Sequence, residues 1–355
     1  MPPKPVRKPI PVPSPRARQK SKLSKGDKKI RLAVVGAGDR ASQIHLPALC
    51  SLDQVEIVGL FDYQPELLER ASQQFKIPKD RCFTSGGSNA CAEKIAEIEP
   101  DGVVTSGLPD TLQDLHLWLV ANHYNLATDH PVYMSAHQAD LLTSMADMNG
   151  CITQVALEHR TNPLLNKMLR SCKSHGRIVH AVCEIHDHHP GLDSSAYSRL
   201  YGDTLRAVDT LRWICSGEVD DVQSSCQRVE TIEINWTGAT LYFENGSVGT
   251  LINNWVSGRH ICRIQIHAYG VCAEIEPESS ARLYVEGDLK GVEYDAKRVA
   301  GSDEYHVYAG FQAKYREFVE AIRSGKTKTS SSFQEVLPSL DIVESILAES
   351  QLNPR

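Results

Sequence analysis

The amino-acid sequence predicts an α/β protein with two domains, an N-terminal one on a doubly wound parallel sheet and a C-terminal one on a large, mostly antiparallel open sheet. The chain has 355 residues, which is too long for one small core and suits two domains. From Ile30 onwards, short apolar runs alternate with helical stretches, as in a parallel sheet with helices on both faces. Beyond about residue 175, long segments alternate apolar and polar residues, which indicates half-buried antiparallel strands. We therefore expect a tail at residues 1–29, one domain at 30–153 and a second at 154–355.

The tail differs sharply from the rest of the chain. Residues 1–29 contain ten Lys/Arg, seven prolines and a single acidic residue, Asp27, so they carry a net charge of +9. This leaves −15 for the remainder, since the whole chain carries −6. Such a segment cannot build a core and is expected to be disordered and partly polyproline-like. We interpret it as a solvated extension rather than a docking or nucleic-acid arm, and the acidic body argues against nucleic-acid binding.

Composition excludes several other classes of protein. Hydrophobic residues make up 41% and charged residues 23%, as in ordinary soluble proteins. No apolar run approaches the ~20 residues that span a bilayer, and the N-terminus lacks the apolar core of a signal peptide. Ten cysteines are scattered without a C-x-x-C pair. We therefore expect reduced thiols in a cytoplasmic protein rather than disulfides or a zinc site.

The elements of the first domain follow from its periodicity. The apolar runs predict five strands: "IRLAVV", "VEIVGLF", "DGVVTS", "NLAT" and "CITQVAL". The stretches between them predict four helices: "DRASQIHLPALCSL", "PELLERASQQF", residues 110–122 and residues 136–149. Pro65 suits the first turn of the second helix, and Ser135 with Gln138 has the spacing of a capping box before the fourth.

The turn after the first strand, "GAGDRA", fits the fingerprint G-x-G-x-x-G/A with Gly36, Gly38 and Ala41. Gly36 permits the tight turn, Gly38 lets the backbone approach a pyrophosphate, and the following helix N-terminus supplies amide donors. Asp62 ends the second strand, 21 residues after Ala41, where a carboxylate binds ribose hydroxyls. These features predict a Rossmann domain that binds NAD; NADP is possible but less favoured, because Asp62 would repel its 2′-phosphate and Tyr63 adds no cation. The alternative is a glycine turn without a ligand, with Asp62 as a helix cap.

The second domain begins with a helix that ends near residue 175. Its strands are predicted at "RIVHAVCEIHD", "DVQSSCQRVETIEINW", "ATLYFENGSVGTLINNWV" and "RHICRIQIHAY", with "ENGS" as a turn. Two helices close the chain, near residues 310–325 and 333–350.

From about residue 30 to 350, the chain resembles the glucose–fructose oxidoreductase/inositol dehydrogenase/MocA (Gfo/Idh/MocA) family. The matching stretches are "VVGAGDRASQIHLPAL", "FDYQPELLERASQQF", "DHPVYMSAHQADLL", "HRTNP", "FENGSVGTL" and "YREFVEAIRSGK". The resemblance implies a Rossmann domain followed by an α/β domain whose open sheet forms homodimers or homotetramers. It also implies hydride transfer between a nicotinamide cofactor and a sugar-like or cyclitol-like substrate.

The resemblance also implies catalytic positions, and this sequence departs from them. The family's lysine of an Asp-Lys-Pro motif is replaced here by His130, between Asp129 and Pro131. The second element, D-x-G-x-H-x-x-D before a helix, matches "YGDTLRAVDTLRW": Asp209 fits the last position, Arg206 replaces the histidine, and the first aspartate is missing.

The predicted site residues fall into three groups. The catalytic candidates are His130, Arg206 and Asp209. The candidates for cofactor binding are Gly36, Ala37, Gly38, Asp39, Arg40, Ala41, Asp62, Ser106, Asp129 and Pro131. The candidates for substrate binding are Arg160, Asn162 and His188, although Asn162 before Pro163 is also a good helix start.

Three interpretations of these substitutions remain open. In the first, the protein is an oxidoreductase in which His130 is the acid/base, because histidine exchanges protons near neutral pH, and Arg206 binds an acidic or modified substrate. In the second, it is a dinucleotide-binding regulatory protein without catalysis, as in the galactose-regulon repressor of this family. In the third, "HDHHP" holds a metal through His186 and His188. We favour the first and expect no metal, because no third ligand is evident.

Overall fold

The computed structural model describes residues 28–85, 87–107, 109–129, 135–188, 196–326 and 328–352. The chain divides into two compact units. The first comprises the residues up to Thr128 together with Leu141–Gln154 and Phe318–Thr329, and the second comprises the remainder. The predicted catalytic residue His130 and its neighbour Pro131 lie outside the described residues.

The first unit contains a six-stranded sheet in the order β3-β2-β1-β4-β5-β6, and every pair whose register is described is parallel. Its strands are β1 (Ile30–Val35), β2 (Val55–Asp62), β3 (Cys82–Thr84), β4 (Gly102–Thr105), β5 (Asn125–Thr128) and β6 (Thr153–Val155). This order is that of a doubly wound dinucleotide-binding sheet, in which the chain reverses direction across the sheet between β1 and β4. The predicted fold class is therefore confirmed for the first domain, although the three-residue β3 was not predicted.

The helices of this region follow the strands in alternation. They are a π-helical turn at Ala41–His45 that continues as α1 (Leu46–Cys50), then α2 (Pro65–Phe75), a 3₁₀ turn at Lys79–Arg81, α3 (Ser88–Ile98), α4 (Pro109–Ala121) and α5 (Ala136–Met148). The central strands are buried on both faces, as with Leu32, Val34 and Leu60, which have no exposed surface. Each such side chain contributes roughly 1.5–3 kcal/mol of burial free energy. The N–H of Gln138 donates to Ser135 Oγ at 3.3 Å, as the predicted cap requires.

The second unit contains an eight-stranded sheet in the order β14-β13-β12-β11-β7-β10-β9-β8. Its strands are β7 (Ile178–His188), β8 (Val219–Gln227), β9 (Trp236–Phe243), β10 (Val248–Asn254), β11 (Val256–Ala268), β12 (Val271–Glu276), β13 (Ser280–Val285) and β14 (Val292–Asp295). All described pairs are antiparallel except β7 with β10. The predicted mostly antiparallel sheet is confirmed, whereas β12 to β14 were not predicted.

One predicted strand was wrong. The stretch "DVQSSCQRVETIEINW" was expected to be continuous, but β8 ends at Gln227 and the next strand starts at Trp236. The intervening loop closes on Asn235, whose side chain accepts from the N–H of Val229 and donates to its carbonyl, both at 2.8 Å. Glu230 in this loop has a positive φ of 56°, which a strand cannot contain.

After a 3₁₀ turn at Glu158–Thr161, the chain forms α6 (Pro163–Lys173), α7 (Ala196–Cys215), α8 (Ala296–Ala300), α9 (Tyr305–Tyr308), α10 (Phe311–Ser324) and α11 (Phe333–Leu352). Helices α6, α7 and α11 pack against the sheet of the second unit, whereas α10 is divided between the two units. Along β7 the buried residues Ala181, Cys183 and Ile185 alternate with the half-exposed Val182 and Glu184. The sheet is therefore open on its other face in this chain.

Within the described residues, no helix is long and apolar enough to cross a membrane. All ten cysteines lie in described segments, and none of them forms a disulfide there. Burial keeps most of them as neutral thiols; it raises the pKa of the buried Cys172 to about 12, for example.

Candidate functional site

The backbone of the glycine turn after β1 excludes any residue other than glycine at position 36. Gly36 has a φ of +103°, and a Cβ on it would lie 2.0 Å from the carbonyl oxygen of Ser106. Its N–H donates to the carbonyl of Phe61 at 2.7 Å, which ties the turn to β2. At Gly38, a Cβ would meet no protein atom within 4 Å. The turn is therefore packed against the protein at Gly36 and faces open space at Gly38, as the approach of a pyrophosphate requires.

Asp62 connects the end of β2 to this turn. Its carboxylate is buried, with 8% of the residue exposed. Oδ2 accepts from the N–H of Ala37 at 2.7 Å, and Oδ1 accepts from the N–H of Gln64 at 2.9 Å. Asp62 thus supports the start of α2, as the alternative interpretation expected, and also fixes the glycine turn. Each carboxylate oxygen retains a second lone pair for a ribose hydroxyl, so this geometry fits NAD.

The other described cofactor candidates differ in their exposure and in their contacts. Asp39 forms a surface ion pair with Arg70 at 2.7 Å, which contributes little to stability because both side chains are largely exposed. Arg40 is exposed and Ala41 is buried. The N–H of Ser106 donates to the carbonyl of Val35 at 2.8 Å and joins the end of β4 to that of β1. Asp129, directly after β5, is buried.

In the second unit, two predicted site residues bind each other. Arg160 donates two hydrogen bonds to Asp209, at 2.7 and 2.9 Å, and the Asp209 carboxylate also accepts from Ser339 Oγ at 3.3 Å. Asp209 is 1% exposed. Burial lowers the pKa of Arg160, but Asp209 together with Glu335 and Glu317 raises it by more, so the net shift is upwards. The pair is a bidentate buried ion pair whose charges cancel.

Both polar atoms of the Asn162 side chain form contacts with the backbone of neighbouring segments. Its Oδ1 accepts from the N–H of Leu165 at 2.9 Å and caps α6, as the sequence allowed. Its Nδ2 lies 3.1–3.3 Å from the carbonyls of Pro277, Tyr308 and Ala309. With 1% of its surface exposed, Asn162 is fully occupied by these contacts.

Arg206 lies between two carboxylates. Its guanidinium is 3.1 Å from Asp203 and 3.5 Å from Glu158. Asp203 also accepts from the indole N–H of Trp255 at 2.9 Å. Burial lowers the pKa of Arg206, while Asp203 and Glu158 raise it by more, so the side chain stays charged. The stretch that resembles the second catalytic element lies inside α7 rather than before a helix, because α7 already begins at Ala196.

Sequence reasoning missed several polar residues around Arg206. Tyr305 Oη donates to Glu278 at 2.7 Å, and its pKa is raised by burial and by the Glu278 and Glu158 carboxylates. His159 Nε2 lies 3.8 Å from Cys262 Sγ. Of these residues, only Glu158 and His159 could have been found from the sequence, because they directly precede the "RTNP" motif. The others come from separate segments that only the fold brings together.

Lys314 is a further buried charge that the sequence did not mark. It has no exposed surface on α10. Burial lowers its pKa to about 8, against the opposing effect of Glu317 and Asp209. A lysine in such a position loses its proton more readily than one in water.

His188 ends β7 and is exposed; its Nδ1 lies 2.7 Å from the carbonyl of Ser257 and therefore donates to it. His189 and Pro190 of "HDHHP" lie outside the described residues. Among the residues that are described, no three His, Cys, Asp or Glu side chains are grouped as a metal site would require.

Residues 30–157 match the model of an oxidoreductase family with an NAD-binding Rossmann fold, GFO_IDH_MocA. The match covers less than half of the chain and coincides with the part that carries the parallel sheet. A curated relative, glycosyl hydrolase family 109 protein 2 from Akkermansia muciniphila, is 36% identical over 80 residues, which are 22% of this chain and only 17% of that protein.

Two solved structures share the fold over about nine tenths of this chain. A dehydrogenase from Clostridium difficile superposes with a TM-score of 0.79 at 16% identity, over 91% of this chain and 100% of that one. A UDP-N-acetylglucosamine 3-dehydrogenase from Acidithiobacillus ferrooxidans gives 0.72 at 17% identity, over 90% and 97% of the two chains. The resemblance predicted from the motifs is thereby confirmed, and so is the α/β class with both sheets.

The part of the chain that matches the Gfo/Idh/MocA model includes the glycine turn, Asp62, Ser106 and Asp129. Arg160, Arg206 and Asp209 lie beyond it. The glycine turn therefore lies in the part that matches an oxidoreductase family with an NAD-binding Rossmann fold, whereas the charged residues of the second unit lie outside this match.

Proposed function

We propose that the protein is an NAD(P)-dependent oxidoreductase that transfers a hydride between nicotinamide and a sugar-like or cyclitol-like substrate. The glycine turn carries this proposal: Gly36 is the residue its packing demands, Gly38 leaves space above the backbone, and Asp62 holds the turn with both oxygens. When bound, the nicotinamide would accept or donate the hydride. The relative from Akkermansia muciniphila is named a glycosyl hydrolase, which supports a substrate related to sugars.

His130 is the acid/base in this proposal. Oxidation of an alcohol requires a group that takes the hydroxyl proton as the hydride leaves carbon. A histidine with an ordinary pKa of about 6.5 does this at neutral pH, whereas a lysine must first have its pKa lowered. Asp129 and Pro131 flank it as in the family motif, and both belong to the proposed site.

The charges around Arg206 favour an uncharged substrate. Its guanidinium is paired with the carboxylates of Asp203 and Glu158. The carboxylate of Glu278 accepts a hydrogen bond from the nearby Tyr305. An acidic substrate would meet the carboxylates of Asp203 and Glu158, whose negative charges outnumber the single positive charge of Arg206. Hydroxyl groups both donate and accept, and they could join this network without a charge. We therefore favour a neutral polyol over the acidic compound that a free Arg206 would suit.

The second candidate function is a dinucleotide-binding regulator without catalysis. Two observations favour it: His130 stands where the family has lysine, and the remaining catalytic candidates, Arg206 and Asp209, are bound by other protein groups. A regulator of this kind would bind NADH tightly and convert none of the sugars or cyclitols tested as substrates. A dimer or tetramer through the open sheet, and a cytoplasmic location, are proposed for either function.

The first test is a titration of the purified protein with NADH and with NADPH, followed by nicotinamide fluorescence. We expect tighter binding of NADH. Asp62→Asn removes the charge and one of the two accepting oxygens, so it should weaken NADH binding and narrow the preference for NADH over NADPH about tenfold. Asp53→Asn removes an equal charge from an exposed position before β2 and should change neither affinity.

Binding of neither nucleotide by the wild-type protein would contradict both candidate functions. If NADH binds, assays of turnover with a panel of neutral and acidic sugars and cyclitols distinguish the enzyme from the regulator. Activity that His130→Ala lowers at least a hundredfold supports the enzyme, and a complete absence of turnover supports the regulator.

A further inference from the structure

We propose that His116, Thr105 and Thr128 form a directed hydrogen-bond chain that positions the carboxyl ends of β4 and β5 for cofactor binding. This role rests on the proposed function, because it assumes that NAD binds at this edge of the sheet. None of the three residues was singled out by the sequence, and none belongs to the glycine turn.

The chain joins two strands and a helix. Thr105 is the last residue of β4 and Thr128 the last of β5, and the two are paired in the parallel register. Thr105 Oγ1 donates to Thr128 Oγ1 at 2.9 Å, and His116 Nε2 from α4 lies 2.8 Å from Thr105 Oγ1. All three side chains are buried, with 0–4% of each residue exposed. The contacts are therefore shielded from water, which would otherwise compete for them.

The direction of these hydrogen bonds fixes the tautomer of His116. A threonine hydroxyl has one hydrogen, and that of Thr105 is used on Thr128. Thr105 must therefore accept from His116, so the imidazole carries its hydrogen on Nε2. Burial lowers the pKa of His116 to about 3, so the ring stays neutral and keeps this arrangement at physiological pH.

The two strand ends fixed in this way are those that adjoin the cofactor residues. Ser106 follows Thr105, and its carbonyl is the atom that forbids a side chain at Gly36. Asp129 follows Thr128. In doubly wound sheets the ligand lies beyond the carboxyl ends of the strands, where the order reverses. A shift of β4 by a fraction of an ångström would therefore move Ser106 against the glycine turn.

Thr105→Val tests this positioning role, because it preserves the shape of the side chain and removes the hydroxyl. We expect NADH to bind at least tenfold more weakly, while Thr105→Ser, which keeps the hydroxyl, stays within threefold of the wild type. Ser72→Ala is the matched control. Ser72 is also buried in the first unit and donates to the carbonyl of Ile77 at 2.7 Å, but it lies near the end of α2, away from these strand ends.

Comparing the change in NADH affinity with the change in thermal unfolding midpoint distinguishes a positioning role from a packing role. Ser72→Ala should lower the thermal unfolding midpoint and leave NADH affinity within twofold. If Thr105→Val did the same, the chain would be a structural contact only and the inference would be wrong. Should Thr105→Val fail to fold, Thr128→Val supplies the same test from the other strand. A wild-type protein that binds no NADH would overturn the proposed function and the positioning role together.

A second measurement tests the chain without cofactor. Nitrogen-15 NMR of the imidazole of His116 should report a neutral ring with hydrogen on Nε2 from pH 5 to pH 8. A ring that titrates near pH 6.5, or that carries hydrogen on Nδ1, would overturn the directed chain. That result would leave the proposed function untouched, because neither Gly36 nor Asp62 depends on it.

Discussion

The glycine turn of the first unit and the charged cluster of the second differ in what they leave available to a ligand. At the turn, Gly38 faces open space, and the Asp62 carboxylate retains lone pairs. In the cluster, Arg160 is taken up by Asp209, and Arg206 by Asp203 and Glu158. The first region leaves open space and lone pairs at the protein surface, whereas the charges of the second have partners within the protein.

This difference shows that a motif match carries less information for side-chain chemistry than for backbone geometry. A glycine turn works through its φ angles and through the absence of a Cβ, which neighbouring substitutions do not change. The role of Asp209 depends on what faces it, and Arg160 faces it here. We therefore expect the two regions to respond differently to substitution.

The largest effect is expected at the turn. Gly36→Ala would place a Cβ 2.0 Å from the carbonyl of Ser106 at a φ of +103°, so the turn must move. NADH affinity should fall more than a hundredfold, and the unfolding midpoint should drop as well. Gly38→Ala is the matched comparison: its Cβ meets no protein atom, so it should weaken NADH binding with an unchanged midpoint.

Equal loss of stability in both glycine variants would contradict the distinction drawn between them. Equal retention of NADH binding in both would show that the cofactor does not approach the turn. Fluorescence titration and thermal unfolding of the same preparations give both quantities.

The next largest effect is expected in the cluster. Asp209→Asn leaves Arg160 charged and buried without its carboxylate, which costs roughly 3–5 kcal/mol of unfolding free energy. The double variant Arg160→Met/Asp209→Leu removes both charges and should cost less than the single change. Urea unfolding at pH 7 measures both. If Asp209→Asn kept full stability and abolished turnover, Asp209 would act on the substrate, as the family resemblance implies.

The smallest effect concerns Lys314 and pH. Its pKa is about 8 in the folded state, against 10.5 for a lysine in water. Between these pH values the unfolded chain binds more protons, so the free energy of unfolding should rise with pH, by at most about 1.4 kcal/mol per unit. Below pH 8 both states hold the proton and this contribution is constant.

Lys314→Met should remove that rise from the pH profile of the unfolding free energy. Lys297→Met, at a half-exposed position in α8, should leave it in place. A profile of Lys314→Met that paralleled the wild type between pH 8 and 10 would mean that Lys314 keeps an ordinary pKa.

The success of sequence reasoning followed the length and the burial pattern of each element. Strands β1 and β2 are apolar runs of six and eight residues, and both were predicted. Strand β3 has three residues, and helix α3 interrupts its apolar pattern with "AEK", so neither produced a periodic signal. The predicted extension of β8 failed because alternation continues through "RVETIEIN", while the bonds of Asn235 bend the chain there.

The sequence by itself determined the class of fold, the glycine turn and the acidic residue that serves it, because these depend on the local backbone and on one neighbouring strand. Only the tertiary structure decided which charged side chains pair with each other. Arg160 and Asp209 are 49 residues apart in the chain, and Ser339 is a further 130 from Asp209. A buried charge must find a partner, and no local pattern states which distant segment supplies it.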